Sequence, residues 1–135
     1  MTLIESLTSE SERDQLRQMM DKILQVDIDV VRFVGILNTK ENCLMTKMQH
    51  GKTSVLSQAE EEIWALKLKN MKAMQAEFDH ALGKVSLMRI RRERLTQLVF
   101  FVSNLIIFVA VEPLVSQLSI DKISNDIEII IQHSC

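Results

Sequence analysis

The sequence predicts an all-α protein: an antiparallel coiled-coil helical hairpin over about residues 9–48 and 54–94, then an apolar helix and a C-terminal amphipathic helix. Three observations predict it. Apolar residues recur in alternating steps of three and four along two long stretches. Each stretch opens on a helix-capping signal. A short glycine-containing link joins them, as in a helical hairpin. Composition agrees, with 47% hydrophobic residues against three Gly and one Pro in 135 residues, so few helix breakers are present.

The first helix is announced by Ser9 and Glu12, whose spacing lets each side chain satisfy the other's free backbone N–H. Leu16, Met19, Ile23, Val26, Val30, Phe33 and Leu37 then form a heptad seam, roughly continued by Leu44 and Met48. Gly35 within it costs about 1 kcal/mol relative to alanine without ending the helix. The second helix opens on Ser57 and Glu60, with Glu61 and Glu62 complementing the dipole of its first turn. Its seam is Trp64, Leu68, Met71, Gln75, Phe78, Leu82 and Val85. Ile63, Leu66, Met74, Ala81 and Met88 add a second stripe beside it, and two apolar faces call for more than one partner. Folding back at Gly51 sets the acid-rich residues 10–30 opposite the base-rich residues 72–92, which favours this register.

Residues 95–111, LTQLVFFVSNLIIFVAV, are apolar on every side apart from Thr96, Gln97, Ser103 and Asn104. Pro113 suits the first turn of a last helix, in which Ile120, Ile123, Ile127 and Ile130 share one face. The chain thus divides into a hairpin, 1–94, and an apolar segment for oligomerisation or partner binding, 95–135. An α+β alternative makes 95–111 a small C-terminal β-hairpin turning at Ser103-Asn104, with IEIII (127–131) as a third strand. A membrane alternative makes 95–111 a single transmembrane helix, flanked by the basic run RIRRER (89–94) on one side and acids on the other. Seventeen residues rise only about 25 Å, short of the roughly 30 Å of a bilayer core.

Motifs that carry chemistry are few. Gly51-Lys52-Thr53 ends like a phosphate-binding loop, but Thr46 stands where the first glycine belongs and no apolar strand precedes it. A turn at Gly51, with Thr53, Ser54 or Ser57 capping the next helix, accounts for the tripeptide. Glu77 and His80 match half of a di-iron motif whose other half is missing. Cys43 with His50, and His133 with Cys135, lack zinc-site spacing. No cofactor, metal or catalytic residue is expected. RIRRER has no aromatic platform nearby, so nucleic acid is not expected; its other readings are anionic lipid, an acidic partner or a mate for the acidic start of the first helix. Two cysteines and a polar start, MTLIESLTSESERDQ, fit an intracellular, reducing (cytoplasmic) compartment.

The function expected is therefore that of a non-enzymatic structural or adaptor subunit of a larger assembly. It would bind protein partners, as a homo- or hetero-oligomer, through helix-to-helix packing. The interface residues expected are Trp64, Met71, Phe78, Leu98, Phe100, Phe101, Ile106, Phe108, Ile123 and Ile127. The alternative is a single-pass tether held in the membrane by residues 95–111.

Overall fold

The computed structural model describes the backbone of residues 3–134 and side chains from Glu10 to Ser134. Ser9, expected to cap the first helix, instead lies within a helix that begins at Leu3, and its side chain, like Cys135, lies outside the described residues. Among the described residues nine elements run in order: α1 (Leu3–Leu24), β1 (Val31–Asn38), β2 (Cys43–Met48), α2 (Gln58–Ala76), α3 (Asp79–Leu82), β3 (Leu87–Arg91), β4 (Thr96–Val102), β5 (Leu105–Val111) and α4 (Gln117–Ser134). The strands form one antiparallel sheet in the order β2-β1-β5-β4-β3. Helices cover both of its faces.

The all-α coiled-coil hairpin is thus overturned: the fold is α+β. The heptad seam breaks after Ile23. Asp27 intervenes there, its carboxylate accepting from the backbone N–H of Asp29 (3.1 Å) and Val30 (3.3 Å). Such local bonds compete with helix. The next stretch, VRFVGILN, is β-branched and apolar, and becomes a strand. Gly35, tolerated in the helical reading, has a different reason to be there. A Cβ on it would lie 2.3 Å from Cζ of Phe108 on the neighbouring strand β5, so the ring occupies the space that a side chain would need.

Residues 95–111 are neither an apolar helix nor a membrane span. They form the β4–β5 hairpin, with Val102 paired to Leu105 and Ser103 at a left-handed φ of 55° in the turn. Among the described residues no helix is long and apolar enough to cross a membrane. The hairpin lacks strict alternation because both faces of the sheet are buried. Leu98, Phe100, Ile107, Val109 and Val111 join Val34 and Ile36 beneath α1 and α4. Val99, Ile106 and Phe108 join Leu37 beneath α2. The boundary expected at residue 94 falls between β3 and β4, two paired strands of the one sheet.

Residues 127–131, the third strand of the α+β alternative, lie within α4. That helix begins four residues after Pro113. Ser116 caps it, accepting from the N–H of Ser119 at 3.2 Å. Ile120, Ile123, Ile127 and Ile131 form its buried face, with Ile130 packed partly against the same core. The junction of α1 and β1 is tied by Gln49, which is buried. Its amide nitrogen donates to the carbonyls of Leu24 (2.7 Å) and Val31 (3.2 Å).

Candidate interaction surface

The capping box read from Ser57 and Glu60 is formed: Ser57 Oγ accepts from the Glu60 N–H at 3.2 Å, and the Glu60 carboxylate accepts from the Ser57 N–H at 3.1 Å. It starts α2 squarely and so fixes which residues face the sheet. Ala65 and Leu68 are buried with Leu37, Val99, Ile106 and Phe108, and Trp64 and Met71 of the helix pack against that cluster, as do Phe33, Leu44, Met88 and Phe101. Of the second stripe, Ile63, Leu66 and Met74 therefore point away from the sheet, whereas Ala81 falls in α3 and Met88 in β3, where it packs against the core beneath α2. Ile63, Leu66 and Met74 are 55%, 56% and 70% exposed. Phe78 and Leu82, just beyond the helix, are also exposed.

Beside this face runs β3, an edge strand paired only with β4. Its end and the tight turn after it carry the basic run. Arg89 bonds Asp121 of α4 at 2.6 Å, and this contact, together with Gln117, holds the Asp121 carboxyl below its ordinary range. The guanidinium of Arg92 lies 5.6 Å from the centre of the Trp64 ring and bonds Gln97 at 3.2 Å. The basic run thus does meet an aromatic group, one distant in sequence. Arg91 and Arg94 are exposed and make no ion pair among the described residues. Between this turn and the first half of α2 lies an open cleft of about 770 Å³, lined by Ile63, Trp64, Lys67, Arg91, Arg94 and Leu95 among others. It is large enough to receive several side chains.

The sequence-predicted interface residues separate into three groups. Leu98, Phe100, Ile123 and Ile127 are buried in the core beneath α1 and α4, and Ile106 and Phe108 in the core beneath α2. Trp64, Met71 and Phe101 are half-buried between α2 and the sheet. Phe78 alone stands outside the packed layers. Ile63, Leu66 and Met74 were legible as a second stripe but not as the outer one, because a heptad seam does not say which side meets the rest of the chain.

The remaining motifs find structural places. Gly51 turns the chain at a φ of 78°. Lys52 bonds the Glu112 carboxylate at 2.8 Å, and Arg32 bonds the same oxygen at 2.9 Å. The hydrogen bond from Lys52 first, and then the charges of both cations, hold the Glu112 carboxyl below the ordinary carboxylate range against an opposing effect of burial. Asp21 pairs with Lys47 and Arg17 with Asp14, so the charge match expected between residues 10–30 and 72–92 is not how these acids are used. Glu77 and His80 are exposed. No group of three or more potential metal ligands occurs among the described residues.

No family model matches this sequence, and no curated protein matches it either. Solved structures do resemble its fold. The chain superposes on the gliding protein MglB from Thermus thermophilus with a TM-score of 0.63 at 11% identity, covering 90% of this chain and 92% of that one. MglC from Myxococcus xanthus gives 0.54 at 12% identity, covering 89% and 96%. A Roadblock/LC7 domain from Streptomyces avermitilis gives 0.54 at 11% identity, covering 86% and 94%. At such identities the likeness establishes the fold and no more.

Proposed function

We propose that this chain is a non-enzymatic interaction subunit that binds another protein chain through the outer face of α2 and the open edge of β3. The exposure of Ile63, Leu66 and Met74 beside an unpaired strand edge carries the reading. An exposed apolar stripe along one helix face suits an association surface. An uncovered edge strand offers backbone donors and acceptors to a further strand. The two features adjoin across the cleft, which shares Ile63 with the one and Arg91 with the other. The fold shared with MglB, MglC and the Roadblock/LC7 domain supplies the scaffold for this reading.

The test is a photo-crosslinking amino acid placed at Leu66 in the full chain, within its own cell, with Lys122 on the exposed side of α4 as the comparison site. Adducts with another polypeptide are expected at position 66 and not at 122. An empty lane at 66, or equal labelling at both sites, refutes the reading.

A further inference from the structure

We propose that the cavity beneath the strap of residues 53–56 is a binding site for an aliphatic monocarboxylate. The chain end sits in the cavity and the carboxylate in the adjoining cleft, against Lys67, Arg91 and Arg94. This goes beyond the association surface and is tested on the isolated chain, so the two stand or fall separately.

The cavity lies where three parts of the chain meet. Phe33 of β1 and Phe108, Val109 and Ala110 of β5 line it, with Leu95 just before β4. Glu61 and Trp64 contribute from α2. Residues 53–56, in the loop that leads into α2, supply the rest. That loop is tied to the sheet by Arg32, whose Nη2 donates to the Thr53 carbonyl at 3.3 Å. The volume is about 50 Å³, well below the roughly 150 Å³ in which an engineered core holds benzene. Such a space seats the end of a molecule and not a whole ring. The charged groups on its wall are already engaged: Arg32 bonds Glu112 at 2.9 Å, and Glu61 accepts from the Ser54 hydroxyl at 2.9 Å. What remains is apolar, and an alkyl end suits it.

The other end of the molecule follows from where the cavity leads. Val55, Leu56, Trp64, Leu95 and Gln97 line both the cavity and the cleft of about 770 Å³, so a chain seated in one continues into the other. Lys67 and three arginines line that cleft, against Glu60 and Glu93. Glu60 is occupied with the capping box, and Arg92 with Gln97 and the Trp64 ring. Lys67, Arg91 and Arg94 make no ion pair among the described residues, and Glu93 is the one acid left to oppose them. The cleft therefore draws an anion, and a carboxylate offers arginine two parallel acceptors. Inorganic phosphate answers the cations but leaves the cavity unused. A plain hydrocarbon does the reverse.

The experiment titrates the isotope-labelled full chain with hexanoate, hexanamide, hexylamine, butyrate and inorganic phosphate. Methyl spectra read the cavity, and the emission of Trp64, the one tryptophan of the sequence, reads its junction with the cleft. Hexanoate is expected to shift the methyls of Val55, Leu56 and Leu95 saturably. It should bind about tenfold more tightly than butyrate, from roughly fourfold per buried methylene. Hexanamide and hexylamine should bind at least about fivefold more weakly, as should hexanoate to Arg91→Gln with Arg94→Gln. Both arginines are exposed, so that double variant keeps its fold. Val55→Asp, at a side chain 48% exposed, sets a charge on the cavity wall and is expected to abolish binding while the melting curve is kept. Equal binding of the amide, the amine, butyrate or phosphate overturns the proposal. So do shifts confined to residues 91–94, parent-like binding by either variant, or no saturable shift at all.

Discussion

Gly35 of β1 and Phe108 of β5 are cross-strand partners, and the phenyl ring lies over the glycine where a Cβ would otherwise project. The ring is also 5.9 Å from that of Phe33, tilted by 36°, and lies beneath α2. Gly35→Ala must push this ring out of a packed layer. We expect a loss of about 1–3 kcal/mol in chemical denaturation. Phe108→Leu in the same chain should return part of it, because the smaller side chain yields the space. A Gly35→Ala protein as stable as the parent would disprove the close approach.

Gln49 joins two elements that the chain itself leaves loosely connected. Its side-chain amide serves the carbonyls of Leu24 and Val31 from a buried position. Gln49→Ala leaves both acceptors short of a partner, at a cost of about 1–3 kcal/mol. The amides of residues 25–31 should also exchange faster with solvent. Unchanged stability together with unchanged exchange would remove the strut.

Glu112 gives the fold a pH dependence of defined sign. Lys52 and Arg32 hold its carboxyl below the ordinary range in the folded chain, so the unfolded chain binds this proton more readily. The contribution is complete above the unfolded pKa of about 4.3 and is lost as the pH falls through the lower folded value. Glu112→Gln should therefore be less stable than the parent near neutrality, with the gap narrowing on acidification. A gap independent of pH would show that the ion pairs contribute nothing.

The three layers predict a contrast between two isoleucines. Ile127 is fully buried beneath the sheet, whereas Ile63 is 55% exposed. Ile127→Ala should cost about 2–5 kcal/mol. Ile63→Ala should stay within about 0.5 kcal/mol in the isolated chain. Equal effects on melting would contradict the placement of α2 and α4.

How much of this was legible without coordinates depends on the element. Ser57 and Glu60 named the start of α2 because a capping box is a local bond. Ser103 and Asn104 marked the turn of β4–β5 in the α+β alternative. The strands were harder. Val30, Phe33 and Leu37 happen to continue the spacing of Leu16, Met19 and Ile23, so a helix face and a strand buried on both sides read as one seam. The Asp27 turn was the overlooked signal. At the candidate surface, Ile63, Leu66 and Met74 were visible as a stripe. That β3 lies beside them is a product of sheet order, which no local pattern carries.

Sheet order also decides when the molecule can come into being. β1 ends at Asn38, yet its inner neighbour β5 begins only at Leu105. A nascent chain must therefore carry its first hairpin, one side unzipped, through most of its own synthesis, and non-local pairing of this kind is slow. Release at residue 102 should leave a chain that proteases digest readily, and a resistant fragment would contradict this. Until β5 slides between β1 and β4, the polypeptide has two half-sheets and no centre.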